Sequence, residues 1–501
     1  MEVSSSVRLF AIITFVVYSV ICVVLGNVLS KRGSSGKDGF GKAFFAGGGN
    51  MGWLASGMMI AAGLCSGGMF LSNPGLSHAW GLFWPVCMFS FTFCGLMAAC
   101  LINKKLKIVC SRINAVSTGA VLRHRYNNNR FIAWYSPLAI IIFSGLFLYQ
   151  QMTSGARLME TITGLPYIYG LVIFGLVLLA YTVAGGSRGT AAVSAFQGAI
   201  MTITTLALTI GLVKYVGSSQ GSLEMAFRAT AETSPSVVSP IAHFSFAILA
   251  CFLFQVGMSS NVGKDNVAQC CKIGDSKTLH NSTALTLVFV CMWAMLMPTL
   301  GTIGRTVFPD IVSDTVIPYS ALIVLPPVLA GIVVSGVAAA IQSTLAFQML
   351  NVNSSVVMDV YNGLIKKGNA KDSELKKVNT VATIVITALM ILFAIKPPAL
   401  IGVINNFSIA GGACAFFMPM LFGVWWDRAN EYGCIASMIG GVGYYLLSTA
   451  YSSLAFGMLP LVPSLIIAAV LMVVVSLATP APKAEILDVW FGIGKTVADP
   501  E

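Results

Sequence analysis

Residues 52–75 read GWLASGMMIAAGLCSGGMFLSNPG, an apolar stretch interrupted by Gly57, Gly63, Gly67 and Gly68. A stretch of this length and hydrophobicity predicts a helix that crosses the roughly 30 Å hydrocarbon core of a bilayer. Glycine at this density lowers helix propensity and lets the backbone unwind inside a membrane protein. Small residues also allow neighbouring helices to pack closely. The two interpretations are compatible, and this segment is expected to be an interrupted helix.

The rest of the chain is equally apolar. It has 501 residues, of which 56% are hydrophobic and 9% are charged, and a mean hydropathy of +0.84. This composition excludes a soluble globular domain and predicts an all-α membrane protein with about 13 transmembrane helices. The predicted spans begin near Leu9, Gly52, Gly81, Phe131, Tyr167, Thr190, Pro240, Ala284, Val328, Val378, Ile401, Gly433 and Leu461.

The basic residues predict how the chain is oriented. With the N-terminus outside, 23 of the 29 Lys and Arg fall in inward loops or the C-terminal tail. The exceptions are Arg8, Arg157, Lys214, Arg228, Arg305 and Lys396. This bias predicts a multi-pass plasma-membrane protein with its N-terminus outside and its C-terminus in the cytoplasm. The net charge of +11 is explained by this asymmetry, so no nucleic-acid partner is expected.

No long soluble segment interrupts the spans. Residues 1–478 are expected to form a single integral membrane transport domain, and residues 479–501 a short cytoplasmic tail. The acidic residues all map to loops or span edges, whereas proton relays and intramembrane enzymes need ionisable groups or metal ligands inside the bundle. A channel pore would show recurring polar rings. These patterns favour a transporter that is not an enzyme and that uses a metal cation.

A second apolar segment also changes character midway. The seventh predicted span, FLFQVGMSSNVGKDN, becomes polar at Gln255. Interrupted helices at corresponding places in two halves indicate a transporter site at the bilayer midplane. If helices two to six form one half and seven to eleven the other, each interrupted segment is the first helix of its half. The halves show no direct sequence identity, so the repeat is an inference.

The ninth span carries a candidate cation site. In VAAAIQSTLAFQMLN, residues 337–351, Ala340, Ser343 and Thr344 are spaced i, i+3 and i+4 and lie on one helical face. Carbonyl and hydroxyl oxygens suit a hard cation such as Na⁺. Ala62 and Cys65 also lie about one turn apart on the interrupted second helix. The alternative is that Ser343 and Thr344 bond only their own backbone while the alanines allow tight packing.

Together these segments resemble the sodium:solute symporter family. YTVAGGSRGTAAVSAFQGAIM, residues 181–201, is similar to its signature, and residues 337–351 are similar to its cation-binding helix. GARLMETITGLPY, residues 155–167, and WWDRANEYGCIASMIGG, residues 425–441, resemble its sodium/pantothenate branch. The resemblance covers roughly residues 40–475. It implies a leucine-transporter-like core of two inverted five-helix repeats, helices 2–11, with helix 1 and helices 12–13 peripheral.

The resemblance also implies two sets of site residues. Na⁺ would be held by the carbonyl oxygens of Ala62, Cys65 and Ala340 and by the hydroxyls of Ser343 and Thr344. The substrate would lie between helices two, four, seven and eleven, near Ser66, Gly67, Met69, Gln151, Gln255, Asn405, Asn406 and Ser408. For Gln151 and Gln255 an interhelical hydrogen bond is an equally good explanation.

Three positions depart from the family pattern. Ser194 stands where the family has an Asp that is expected to help cation release, although Gln197 is retained. Gln269 stands where the inward loop after helix seven usually has an Arg. Gly67, Gly68 and Met69 replace the small and hydroxyl residues of the pantothenate branch, which implies a changed pocket.

The prediction is therefore a sodium-coupled symporter that imports a small organic solute by alternating access. A pantothenate-like carboxylate is the first candidate, and another organic acid, an amino acid or a sugar is the alternative. The remaining partners expected are Na⁺ and the lipid bilayer, with no obligate protein partner. The sequence predicts neither the sodium stoichiometry nor the oligomeric state, nor whether Ser194 weakens coupling.

Overall fold

A computed structural model describes residues 4–31, 39–45, 52–93, 99–241, 244–259, 267, 270, 275–397 and 400–492. Every regular element in these ranges is helical. The α-helices are α1 (Ser5–Lys31), α2 (Phe40–Phe45), α3 (Trp53–Leu64), α4 (Asn73–Trp80), α5 (Phe83–Phe89), α6 (Lys104–Arg112), α7 (Thr118–Arg125), α8 (Arg130–Thr163), α9 (Tyr167–Gln220), α10 (Leu223–Thr233), α11 (Phe246–Phe254), α12 (Ser276–Val307), α13 (Val316–Val324), α14 (Pro327–Ser354), α15 (Asp372–Phe393), α16 (Ile401–Trp425), α17 (Glu431–Ala450), α18 (Leu461–Ala478) and α19 (Ala484–Phe491).

Shorter helical turns of other types join these elements. The backbone forms π-helical turns at Gly68–Ser72, Ala99–Asn103, Gln255–Ser259 and Ser355–Ile365, and 3-10 turns at Pro235–Val238, Ser313–Thr315 and Ser452–Ala455. The π-helical turn at Gln255 begins where the seventh span loses its apolar character. The predicted irregularity of that span is thereby confirmed up to Ser259.

The thirteen predicted spans all have a helical counterpart. Within the described ranges, nine helices are long and apolar enough to cross a bilayer, and the pair Trp53–Leu64 and Gly68–Trp80 forms a tenth span bent by 49°. Three shorter apolar helices correspond to the third, fifth and seventh predicted spans: Phe83–Phe93, Tyr167–Val177 and Phe246–Gly257. The fifth and sixth predicted spans both fall within α9, which is 54 residues long.

The ninth predicted span forms the centre of the protein. It comprises α14 and the π-helical turn that follows it, and 83% of its most apolar window is buried, a larger share than in the other long spans described. It packs against α1, α3, α8 and α9. Its many alanines and valines leave room for these close contacts, since small side chains let helix backbones approach one another.

The first helix is tied to this centre by a polar side chain. α1 exposes Val17 and Val20 on its outer side and buries Tyr18. The Tyr18 hydroxyl donates to Gln342 Oε1 on α14 at 3.0 Å and accepts from Gln197 Nε2 on α9 at 2.8 Å. Because buried amides are costly without partners, this hydrogen-bond network fixes the position of α1 against the two core helices.

On the predicted cytoplasmic side, the short helices α6, α7 and α19 pack together. Arg125 is 1% exposed, and its guanidinium donates to the carbonyl oxygens of Gly423 and Trp426. The Trp490 indole donates to His124 Nδ1 at 3.2 Å. The basic residue Arg125 therefore contributes to the fold, and residues 484–491 of the predicted tail form a packed helix.

Candidate functional site

The second span is broken where its glycines are densest. α3 ends at Leu64, and the N–H groups of Ser66 and Gly67 would bond the carbonyl oxygens of Ala62 and Gly63 if the helix continued. The Gly67 N–H instead donates to Gln151 Oε1 on α8 at 3.0 Å. The break therefore turns carbonyl oxygens of the last α3 turn toward other partners.

Those partners are the two hydroxyls predicted on the ninth span. Ser343 Oγ donates to the carbonyl oxygens of Ala62 at 3.0 Å and Ala340 at 3.1 Å. Thr344 Oγ1 lies 3.3 Å from the Ala62 carbonyl oxygen and 3.2 Å from that of Gly63. Four of the five predicted sodium ligands thus form one cluster, called here the oxygen cluster: Ala62, Ala340, Ser343 and Thr344.

The fifth predicted ligand, Cys65, lies at the same break. Its N–H donates to the Ala61 carbonyl oxygen, and its backbone leaves the helical region at φ −89° and ψ 75°. The Gly63 carbonyl, which the sequence did not single out, joins the cluster through Thr344. The fold brings the predicted ligands close to one another. The assignment of these five residues as sodium ligands remains a prediction.

The chemistry of the oxygen cluster suits a monovalent cation. The atoms that would bind the cation are carbonyl and hydroxyl oxygens, which are hard ligands and carry no net charge. Within the described residues, no group of three or more His, Cys, Asp and Glu side chains lies together. All four residues of the cluster are buried, so a cation there would be removed from bulk water.

A cavity opens beside the break. Its lining combines aromatic and aliphatic side chains with hydroxyl and amide groups and includes no charged residue. It is formed by Leu64, Ser66, Gly68, Met69, Asn73, Trp84, Met88, Phe91, Phe147, Gln255, Val256, Asn405, Asn406 and Ile409. Five of the eight predicted substrate residues therefore line one cavity: Ser66, Met69, Gln255, Asn405 and Asn406.

The other three predicted substrate residues lie outside the lining. Gln151 accepts the hydrogen bond of the Gly67 N–H at the helix break. Its Nε2 donates to Gln150 Oε1 at 2.8 Å. Ser408 Oγ donates to the backbone carbonyl of Phe143 on α8. In this structure Gln151 and Ser408 make helix-to-helix contacts, which was the alternative considered for Gln151.

Several lining residues were not singled out from the sequence. The Trp84 indole donates to Asn73 Oδ1 at 3.2 Å, and Asn73 Nδ2 lies 3.7 Å from Met69 Sδ. Asn73 follows the glycine-rich segment directly, so its position in the sequence could have identified it as a candidate cavity residue. Trp84, Phe91 and Phe147 have no sequence feature that separates them from other aromatic residues in apolar spans.

The positions that depart from the family pattern are only partly visible. Ser194 is 1% exposed on α9, one turn from Gln197, whose Oε1 is buried without a hydrogen-bond partner. Gln269 lies outside the described residues, and so do the side chains of residues 181–189 and 192 in the family signature. Arg157 forms an ion pair with Glu160 at 2.8 Å.

Comparison with known proteins gives the same assignment. A model of the sodium:solute symporter family matches residues 44–441. The chain belongs to the sodium:solute symporter family. It is a multi-pass, sodium-coupled solute symporter, and its relatives are transporters and not enzymes. The predicted family, transport class and coupling ion are confirmed.

Curated relatives are similar over nearly their whole length. The sodium/pantothenate symporter of Escherichia coli K12 is 31% identical over 489 residues, which cover 96% of this chain and 99% of the relative. That of Haemophilus influenzae is 30% identical over 441 residues, 86% of this chain and 89% of the relative. An osmoregulated proline transporter of Bacillus subtilis is 23% identical over 479 residues, 94% of this chain and 95% of the relative.

Solved structures confirm the leucine-transporter-like fold of the symporter. A Na⁺-coupled sialic acid symporter, in a substrate-bound outward-open state, has a TM-score of 0.78 at 17% identity over 95% of this chain and 98% of that one. A nucleobase-cation-symport-1 family transporter, in a closed conformation with bromovinylhydantoin bound, has a TM-score of 0.57 at 11% identity over 89% of this chain and 97% of that one.

Proposed function

We propose that this symporter carries a pantothenate-like carboxylate together with Na⁺ into the cell across the plasma membrane, with its N-terminus outside. Na⁺ is held by the carbonyl oxygens of Ala62, Cys65 and Ala340 and by the hydroxyls of Ser343 and Thr344. The observation that carries the proposal is the oxygen cluster, in which two hydroxyls of α14 lie within 3.3 Å of the Ala62 carbonyl at the helix break.

The cavity supports a carboxylate as the solute. Ser66, Gln255, Asn405 and Asn406 supply neutral hydrogen-bond donors, and no acidic side chain lies in the lining to repel an anion. The second half of the broken span begins at Gly68 beside the cavity, and the N-terminal end of a helix carries partial positive charge that attracts anions. Two sodium/pantothenate symporters at 31% and 30% identity point to the same solute class.

The test is uptake of radiolabelled pantothenate by proteoliposomes under an inward Na⁺ gradient, with K⁺ in place of Na⁺ as the control. We expect the labelled solute to accumulate only with Na⁺. Unlabelled pantothenate should inhibit this uptake more strongly than other organic acids, amino acids and sugars do. Accumulation without Na⁺ would contradict the coupling. Stronger inhibition by a different class of solute would contradict the proposed substrate and identify that class as the better candidate.

A pair of asparagine variants tests the cavity. Asn405 lines it, and its Oδ1 is buried without a partner. Asn353 is also buried, and its Oδ1 likewise has no partner, but it lies away from the lining and donates to Thr383 Oγ1 at 2.7 Å. We expect Asn405→Ala to raise the KM for solute at least tenfold and Asn353→Ala to leave it within twofold. Equal effects would refute the assignment of Asn405.

Orientation has its own test. An N-terminal epitope tag should react with antibody on intact spheroplasts, whereas a C-terminal tag should react only after permeabilisation. The reverse pattern would contradict the predicted topology.

A further inference from the structure

Two walls of the cavity meet on the face predicted to be outside. α4 carries Asn73 and α16 carries Asn405, and both residues line the cavity. About one turn further out, Leu76 of α4 packs against Gly402 of α16, where an added Cβ would lie 2.5 Å from Leu76 Cδ1. This contact lies outward of Asn73 and Asn405 on the same two helices.

A short loop joins the same two walls above that contact. His78 on α4 contacts the loop through Nδ1, 3.0 Å from Ser313 Oγ, and through Nε2, 2.9 Å from the Phe308 carbonyl oxygen. Asp314 in the loop accepts the N–H of Ile401, the first residue of α16, on Oδ2 at 3.1 Å. These five residues form what we call the outer clasp: His78, Phe308, Ser313, Asp314 and Ile401.

Asp314 is an unusual member of the clasp because this acidic residue is only 1% exposed. Its Oδ1 has no hydrogen-bond partner and packs against Gly75, where an added Cβ would lie 2.4 Å away. A buried, half-satisfied carboxylate costs free energy. A residue that only filled this loop would not need a charge.

We propose that Asp314 is a positioning residue of the transport cycle, which holds the outer side of the cavity closed by joining the loop to α16. The inference rests on the proposed substrate cavity. When the clasp opens, the Asp314 carboxyl group becomes hydrated and the two walls separate. When it closes, the carboxyl group is buried again beneath the loop.

The clasp should then respond to external pH. Burial raises the pKa of Asp314 to about 6, while the Ile401 N–H and the Arg157 charge lower it. Other charged or titratable groups near the clasp, among the described residues, include His78 on α4, Glu160 beside Arg157 on α8, Arg305 on α12 and Asp310 in the same loop. Because hydration returns the Asp314 pKa toward its ordinary value in the open state, protonation favours the closed state.

The expected size of the effect follows from this linkage. With a pKa of about 6 in the closed state, lowering the pH from about 7.5 to 5.5 favours closure about fourfold. With the closed state predominant, the open fraction is inversely proportional to the closure constant, so access to the cavity from outside should fall about fourfold over this range. Above pH 7 the carboxylate is ionised and closure is weakest.

The experiment measures labelling of Phe147→Cys, a cavity residue, by an impermeant maleimide in right-side-out vesicles. Rates at each pH are divided by those of a chain carrying Tyr451→Cys on the exposed outer loop, which corrects for thiol reactivity. We expect the fourfold fall in the otherwise unchanged chain. Asp314→Asn, which is neutral and can still accept the Ile401 N–H, should label slowly at both pH values, and Asp314→Ala should label fast at both.

Retention of the pH dependence in Asp314→Asn would overturn the proposal, as would equal labelling of all variants. His78→Gln identifies the titrating group, because the pH dependence should persist in this variant if Asp314 is responsible. Size-exclusion chromatography of each variant confirms folding. Because labelling needs no solute, failure here is distinguishable from an error in the proposed substrate.

Discussion

The Ser343 hydroxyl lies 3.0 Å from the Ala62 carbonyl oxygen, although 281 residues separate the two in the chain. This contact joins the ninth span, the most buried of the long spans described, to the broken one. It places neutral oxygens from two helices around one point, which neither helix can provide alone. Any movement of α3 relative to α14 must change this cluster, so a cation bound at the proposed site would be coupled to helix movement.

Replacing the hydroxyls should weaken sodium activation. For Ser343→Ala and Thr344→Ala we expect the Na⁺ concentration for half-maximal uptake to rise at least tenfold, or about 1.4 kcal/mol per substitution. Initial uptake rates measured against Na⁺ concentration give this value. Ser335→Ala is the matched control, because Ser335 is buried on the same helix but donates to Gly331. An unchanged Na⁺ concentration for half-maximal uptake in both variants would contradict the proposed sodium site.

The break itself should tolerate no side chain at Gly67. An added Cβ there would lie 2.6 Å from Gln151 Oε1 and 2.7 Å from Ile341 Cγ1. At Gly63 the nearest atom, Phe347 Cγ, would be 3.4 Å away. We therefore expect Gly67→Ala to lower uptake at least tenfold and Gly63→Ala to retain at least half. Both are measured at equal protein in the membrane, and similar activities would argue against a tightly packed break.

The Tyr18 network should contribute to stability. Tyr18→Phe removes the hydroxyl that Gln197 donates to and that donates to Gln342. Leaving buried amide groups unsatisfied costs about 1–3 kcal/mol, so the unfolding temperature in detergent should fall by several degrees. Tyr169→Phe, at a residue that is 57% exposed, should leave it unchanged. A stable Tyr18→Phe protein would show that the Tyr18 hydroxyl adds nothing to the contacts that hold α1.

A second network on the predicted cytoplasmic side is also testable. Ser117 caps α7 by accepting the Ala120 N–H, and its hydroxyl also donates to the buried Asp359, which follows α14. Ser117→Ala should lose the cap and the carboxylate's donor, and cost at least the 0.5–2 kcal/mol of a cap alone. Ser222→Ala removes an ordinary cap from α10. Equal thermal shifts in the two variants would show that the Asp359 contact adds nothing.

Hydropathy was sufficient to predict the spans because membrane-crossing helices must be long, apolar and internally hydrogen-bonded. The face containing Ala340, Ser343 and Thr344 was predictable for a similar reason, since helical periodicity fixes which side chains point together. Glycine density at residues 57–68 predicted where the second span breaks. These features depend on local sequence alone.

Features that depend on tertiary packing were not predictable in the same way. Gln151 and Ser408 are polar residues on the predicted helices, but periodicity does not tell whether such a side chain faces a cavity or a neighbouring helix. Asp314 lies in the loop between α12 and α13, where an acidic side chain is usually exposed to water. Only the fold shows that it is buried under α4 and against the start of α16.

The uncharged lining of the cavity and the oxygen cluster has an electrical consequence. An empty carrier moves no side-chain charge from these sites across the bilayer, so a membrane potential, which acts with about 2.3 kcal/mol per charge per 100 mV, does no work on that step. One Na⁺ with a monoanion leaves the loaded site neutral, and a second Na⁺ makes it cationic. With a monoanionic solute, the number of elementary charges measured per molecule of solute is therefore one less than the number of sodium ions carried in each cycle.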